Sequence, residues 1–324
     1  MRIVIDRHIP YLAETVRNGW PDVQISPMKP EEIDAHSVRD ADVLVVRTRT
    51  RVDAALLQGS RVRLACSATI GFDHIDTDWC TANGIRWTAC PGCNAQAVCD
   101  YIEESLDEYL AACMPDGLAA QSGLCIGIVG VGHVGSLVAQ MAERRGYRVL
   151  LNDPPKGIGV SLDEIAQKCD IITFHTPLVH SGSFATYHLC DRAFLKRCRP
   201  GALIINAARG GVVDEQALAA GSHPFIIDTW ENEPDINTAV LERAFRASMH
   251  IAGYSDRGKR NATNMCLKAI SEEFGLPILS CDKIFVPLHP ISGDTAPGWL
   301  ERITAQLKND PTRFESLRKA YPLR

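Results

Sequence analysis

The stretch Cys125–Ser136, CIGIVGVGHVGS, decides the fold. A short apolar run of strand length leads into Gly130, Gly132 and Gly135 at G-x-G-x-x-G spacing. The first glycine permits a tight turn, the second lets backbone approach a pyrophosphate, and the third lets the next helix pack closely. That helix presents unpaired amides and a positive dipole end to the phosphates. The triplet alone is a weak signal, and its surroundings strengthen it. The next apolar run, RVLLND (148–153), ends on Asp153, eighteen positions past Gly135, close to the ~20 expected of a ribose-binding carboxylate. Such a carboxylate accepts bonds from the ribose hydroxyls and repels a 2′-phosphate, so NAD is expected in preference to NADP. His133 and Val134, inside the motif, belong to the same expected cofactor set.

Working outward, β-rich runs recur at 124–129, 148–151, 171–174, 202–205 and 225–227, with helices starting near Gly132, Ser161, Asp191 and Asp214. Ser161 and Asp191 are good N-cap residues. Upstream lies a similar series, with strands at 2–5, 42–46, 64–68 and 85–88. Its helical segments are near 11–17, 53–57 and 76–82, and a long helix over 95–113 leads out of it towards Pro115 and Gly117. Alternating strands and helices imply βαβ units and parallel sheets. The expected fold is therefore α/β, with two Rossmann-like doubly wound domains and a short C-terminal module. Ligands are expected in a cleft.

Bulk properties narrow the function. Of 324 residues, 46% are hydrophobic and 23% charged, an ordinary globular balance. The net charge of -5 argues against a nucleic-acid or anionic-membrane partner. The longest apolar stretch, 126–142, is broken by glycines and His133, so no membrane span is expected. MRIVID at the start is too short for a signal-peptide core. Twelve scattered cysteines without an export signal suggest free thiols in a reducing cytoplasm. Cys90 and Cys93 form a lone C-x-x-C, read as ordinary thiols, and no metal is expected.

Three segments then occur in a telling order: IINAARGGVVD (204–214), DTWENEP (228–234) and HIAGYS (250–255). The set resembles the Arg, Glu and His segments of the D-2-hydroxyacid dehydrogenases. Further matches are Arg47-Thr48, ATIGFDHID (68–76), PGCNA (91–95), NDPP (152–155), HTPL (175–178) and Gly258-Lys259. They run from residue 1 to about residue 275 and narrow the resemblance to members acting on a phosphorylated acid. The implied reaction is NAD-dependent oxidation of 4-phospho-D-erythronate to its 2-oxo acid, a step of pyridoxal 5′-phosphate biosynthesis. Alternatives are a phosphoglycerate or hydroxypyruvate dehydrogenase, and, from another class, a non-catalytic NADH-sensing scaffold.

Oxidising a 2-hydroxy acid requires a base for the hydroxyl proton, and a histidine suits that task near neutral pH. His250 is the candidate. The resemblance gives Glu233 as the carboxylate that fixes its tautomer, and Arg209 can hold the substrate carboxylate through its planar fork. It also implies Thr176, Ala207, Ala208, Asp228 and Gly253 near the nicotinamide and its ribose, and Thr48, Thr69 and Tyr254 at the substrate. The expected domains are 1–95, completed by about 254–275, for substrate; 96–253 for NAD; and 276–324 as a short module, with a homodimer as the assembly.

A phosphate needs cations. Arg47, Arg49 and Arg51 alternate after the strand DVLVV and would share one face if the extended chain continued. Lys259 and Arg260 follow His250 at an expected helix start. The family reads Gly-Lys-x-Arg there, whereas this chain has Gly258-Lys259-Arg260-Asn261, with the arginine one place early.

Overall fold

The computed structural model describes residues 1–113, 123–282, 284 and 298–321. They form two compact units, one built from Met1–Asn94 and the segment beginning at Ser255, the other from Ala95–Tyr254 and the last two helices.

In the first unit the strands are β1 (Arg2–Asp6), β2 (Gln24–Met28), β3 (Val43–Val46), β4 (Leu64–Ser67) and β5 (Arg86–Thr88). Helices α1 (Leu12–Gly19), α2 (Ala54–Leu57) and α3 (Thr77–Ala82) connect them. All pairings are parallel, in the order β2-β1-β3-β4-β5. This is the doubly wound order of flavodoxin-like sheets, not the other common order found in dinucleotide-binding domains. Alternate residues feed opposite faces. Ile3, Ile5, Val43, Val45, Leu64 and Cys66 enter one core, while Val4, Leu44, Val46 and Ala65 enter another. Edge strand β2 was not expected: QISPM carries Ser26 and Pro27, and an edge position tolerates a proline that cannot donate.

The second unit opens with α4 (Ala95–Cys113); its expected end near Pro115 and Gly117 lies outside the described residues. Then come β6 (Cys125–Val129), α5 (His133–Arg144), β7 (Arg148–Asp153), β8 (Ile158–Gly159), α6 (Leu162–Lys168), β9 (Ile171–Phe174), α7 (Arg192–Arg197) and β10 (Leu203–Asn206). After them follow α8 (Glu215–Ala220), β11 (Phe225–Ile227), α9 (Thr238–Arg243) and β12 (Arg246–Ala247). Every residue of β6, β9, β10 and β11 is buried, as expected of a parallel sheet covered on both faces. The sheet order is β12-β11-β10-β9-β6-β7-β8, and only β7–β8 is antiparallel. The chain winds outward both ways from β6 and β9, which makes their C-terminal ends the switch point where such folds bind ligands. Ser161 and Asp191 cap their helices as the sequence suggests, accepting the amides of Glu164 and Phe194, and Asp214 accepts that of Ala217.

Helix α10 (Asp256–Phe274) returns to the first unit, capped by Ser255, and buries Ala262, Cys266, Leu267, Ala269 and Ile270 against one face of its sheet. In place of a separate module over 276–324, α11 (Trp299–Asn309) and α12 (Phe314–Ala320) join the core of the second unit. Trp299, Leu300, Ile303, Leu307, Phe314 and Tyr321 all belong to it, because each is apolar or half-apolar and spaced to face inward along its helix. Phe314→Ala should therefore lower the stability of the second unit by about 3–5 kcal/mol, read as an earlier urea transition. A transition unchanged from that of the unmodified chain would show that the last helices are not part of this core.

Candidate active site

The glycine loop follows β6. Gly130 has φ +93°, and a Cβ there would lie 2.8 Å from the backbone of His175 beyond β9. At Gly135 a Cβ would come within 1.9 Å of the Gly130 carbonyl oxygen, so α5 can close onto the turn only with glycine. Gly132, the N-cap of α5, borders open space: nothing lies within 4 Å of where its Cβ would be. His133, Val134 and Gly135 form the first turn, whose amides point out of the helix end. The buried Thr176 hydroxyl has no hydrogen-bond partner among the described residues. Burial pushes His175 down to about 3, so its ring is neutral, with Nε2 3.1 Å from the Thr173 hydroxyl. Asp153 ends β7; its Oδ2 accepts the Val131 amide at 2.8 Å, and Lys156 Nζ lies 3.6 Å away. An anion-attracting helix end, room at Gly132 and a carboxylate at the tip of β7 fit a dinucleotide.

The catalytic candidates hang on a buried aspartate. Asp228, 1% exposed, sits just past β11. Its Oδ1 accepts the Ser248 hydroxyl at 2.6 Å and the Ile251 amide at 2.8 Å; Oδ2 accepts the Ala252 amide at 3.0 Å. Its carbonyl oxygen accepts the His250 amide at 2.8 Å. These bonds hold His250 at φ +57°, a conformation non-glycine residues seldom adopt. Half-buried Gly253 completes the turn. His250 Nδ1 lies 2.8 and 3.0 Å from the two Glu233 oxygens. Burial raises the Glu233 carboxyl, but the His250 bond, the Trp230 amide and the Arg318 charge outweigh it and hold the group below its usual range. With Nδ1 committed to Glu233, Nε2 is the nitrogen left for substrate.

Arg209 lies in the turn after β10. Asn206 shapes that turn: its Oδ1 accepts the Ala208 amide and its Nδ2 donates to the Arg209 carbonyl at 3.0 Å. Ala207 and Ala208 are buried, and a Cβ on Gly210 would meet the Trp230 carbonyl oxygen at 1.8 Å. The Arg209 side chain is exposed and forms no ion pair among the described residues, its Nη1 bonding the Ala208 carbonyl at 2.7 Å. Arg209, Glu233 and His250 thus come from three loops of one unit.

His188, Asp214 and Glu231 also bring ligand-type atoms within 4.8 Å of one another. One atom of each is already bonded within the protein. Glu231 Oε1 takes His188 Nε2 at 3.0 Å and the Glu215 amide at 3.1 Å, while Asp214 caps α8. Glu215 Oε1 in turn accepts the Glu231 amide, and burial raises its carboxyl to about 7. The two glutamates pin α8 to the loop that carries Glu233.

In the first unit the expected row of arginines is not formed. The strand stops at Val46, and a turn closed by the Thr50 amide on the Arg47 carbonyl reorients the chain. Arg47 instead pairs with buried Asp6 at 3.0 Å, and Arg51 with Asp53 at 3.2 Å. Burial raises Asp6, but the His8 amide and Arg47 prevail and keep it ionised. Lys259 lies in the first turns of α10; burial, then the nearby Arg47 charge, lower its affinity for the proton. Arg260 faces elsewhere: it pairs with Asp256 at 2.6 Å, lies over the Tyr11 ring and donates to the carbonyls of Cys281 and Ile284. One residue along a helix turns a side chain by ~100°. Thr48 is exposed on the turn, and the Thr69 hydroxyl bonds Ser67 and the Gly71 carbonyl. Cys90 is buried, its thiol bonded to the carbonyls of Ser67 and Ala262, and the Cys266 thiol with burial pushes it up. The sequence reading missed Asn206, Glu215 and Arg318. Asn206 was legible as the polar residue before the arginine turn; Arg318 carries no motif.

Comparisons with known proteins agree with this geometry. Residues 116–252 match the family described as D-isomer specific 2-hydroxyacid dehydrogenase, NAD binding domain. A protein of Bacteroides fragilis named erythronate-4-phosphate dehydrogenase is 41% identical over all of this chain and 97% of its own length. One of the same name from Azotobacter vinelandii is 37% identical, over all of this chain and 92% of its own. Among solved structures, an NAD-complexed D-isomer specific 2-hydroxyacid dehydrogenase of Lactobacillus delbrueckii ssp. bulgaricus aligns with a TM-score of 0.67. It is 19% identical, covering 86% of this chain and 98% of its own, and shows the fold. The D-lactate dehydrogenase of Aquifex aeolicus aligns at 0.63 with 22% identity, over 84% and 96%. A dinucleotide loop at the switch point, the His–Glu pair and full-length relatives converge: the chain belongs to the D-isomer specific 2-hydroxyacid dehydrogenases, a family of NAD-dependent oxidoreductases.

Proposed function

We propose that this chain oxidises 4-phospho-D-erythronate to 3-hydroxy-2-oxo-4-phosphobutanoate with NAD, in the direction of pyridoxal 5′-phosphate synthesis. The observation that carries the reading is the His250–Glu233 pair at 2.8 Å, on loops of the unit that also bears Arg209, in a chain whose full-length relatives are named for this substrate. When bound, NAD supplies the acceptor for the hydride leaving C2. His250 Nε2 takes the C2 hydroxyl proton. Glu233, ionised and bonded to Nδ1, keeps the ring in the right tautomer and stabilises the imidazolium that forms. Arg209 binds the carboxylate with two parallel N–H groups and holds the C2 oxygen. Gly130, Gly132 and Gly135 would hold the cofactor's pyrophosphate, Asp153 would accept its ribose hydroxyls, and Thr176, Ala207, Ala208, Asp228 and Gly253 would lie near the nicotinamide and its ribose. Thr48, Thr69 and Tyr254 contact substrate. The assembly is a homodimer in the cytoplasm.

The substrate phosphate falls to Arg47 and Lys259. Both are cations of one unit; burial and the nearby Arg47 charge lower the Lys259 affinity for its proton, so an anion beside Lys259 would be favoured. Arg260 is excluded by its bonds to Asp256 and two carbonyls.

His250→Ala should lower kcat by ~10²–10⁴-fold with little change in cofactor affinity. Arg209→Lys should mainly reduce kcat/KM for the acid, since an ammonium lacks the planar fork. Near-normal turnover by the His250 variant would place the base elsewhere. In a panel of 2-hydroxy acids followed by NADH absorbance, 4-phosphoerythronate should far exceed erythronate in kcat/KM. Lys259→Ala should erase most of that difference, and equal use of the two acids by the unmodified enzyme would refute the phosphate assignment.

A further inference from the structure

The terminal helix α12 carries a charged residue to the catalytic pair of the same unit. Arg318 Nη1 lies 3.9 Å from Glu233 Oε2, the oxygen that accepts His250 Nδ1 at 2.8 Å. Its Nε donates to the Tyr254 hydroxyl at 3.2 Å, and its Nη1 also bonds Glu315 Oε1, one turn earlier on α12, at 3.1 Å. Arg318 is anchored from behind as well, because Phe314 on the same helix is fully buried in the unit's core. A guanidinium therefore bonds, through Nε, the tyrosine expected at the substrate, while its Nη1 lies within ion-pair distance of the carboxylate behind the base. Nothing in the ordered Arg, Glu and His motifs points to it.

We propose that Arg318 is a positioning residue for the active site, holding Glu233 and Tyr254 in place and opposing charge on His250. This rests on the reading of His250 as the base. The physical argument has two parts. A forked cation can bond Tyr254 through one nitrogen and keep its charge beside Glu233 through another, which a flexible ammonium does less well. A positive charge beside Glu233 also offsets part of that carboxylate's attraction for an imidazolium, so removing it should strengthen that attraction. The charged and titratable groups facing the pair are Arg318 and Glu315 of α12, Glu215 of α8, and Glu231 and Tyr254 in the flanking loops. Glu315 is itself bonded to Arg318 and offsets part of its charge, yet the Arg318 charge still helps hold Glu233 below its usual range.

The test is the titration of His250 in the full-length protein, followed by imidazole ¹⁵N NMR and assigned with His250→Gln. In Arg318→Met the midpoint should rise by about one pH unit, and the acid limb of kcat/KM should move up with it. In Arg318→Lys the midpoint should stay, because the charge stays, while KM for the acid rises as the Tyr254 bond is lost. An unmoved midpoint in a folded Arg318→Met protein overturns the proposal. If that variant does not fold, Arg318→Lys decides: a raised KM supports the proposal, and wild-type KM overturns it. The NMR midpoint does not depend on turnover, so a failure of the dehydrogenase reading would show separately, as an unmodified chain that oxidises no hydroxy acid.

Discussion

The buried Asp228 carboxylate is the interaction on which the site depends. Three bonds from Ser248, Ile251 and Ala252, with the His250 amide on its own carbonyl, fold the loop after β12 back onto the end of β11. A carboxyl group at 1% exposure is costly to bury unless its lone pairs are filled. Here three are, by donors that would otherwise be buried without partners. The aspartate and the loop therefore stabilise each other. What results is a histidine held at positive φ, its ring against Glu233, in a geometry the local sequence would not adopt alone.

Around that clamp the sheet does the rest. β10 and β11 end side by side, so the turn bearing Arg209 and the segment bearing Glu233 start from neighbouring strand ends. Asn206 fixes the first, while the reciprocal Glu215–Glu231 bonds fix the second. β6 and β9 end in the glycine loop and in His175-Thr176 on the same edge of the sheet. Chemistry is thus assembled at strand ends, on turns too tight to wander, and held by buried polar groups whose bonds are filled.

Much of this was legible in the sequence because it rests on local rules. The glycine spacing of 130, 132 and 135 demands a tight turn, and the structure shows why nothing larger fits at Gly135. Apolar runs such as Ile171–Phe174 and Leu203–Asn206 are buried strands, and Asp or Ser before a helix is a cap. What escaped was non-local or local in the wrong way. Gln24–Met28 is a polar, proline-bearing edge strand with no alternation to read. The arginines at 47, 49 and 51 alternate as a strand would, yet the chain turns after Val46 because Arg47 finds Asp6, forty-one residues away. Arg318 reaches Glu233 across eighty-five positions, and Asp228 was read as a cofactor contact when its carboxylate also organises the histidine loop.

The most direct measurement is hydrogen exchange at Ile251 and Ala252, together with kcat, in Asp228→Asn. An amide in place of the carboxylate turns a donor towards donors and leaves the backbone N–H facing it, and the new NH2 hydrogens, without acceptors. The account predicts exchange at both amides faster by about tenfold or more, kcat lower by a similar factor, and the rest of the unit exchanging as before. Unchanged exchange at these two amides with wild-type kcat would contradict it, and would mean that something other than Asp228 sets the position of His250.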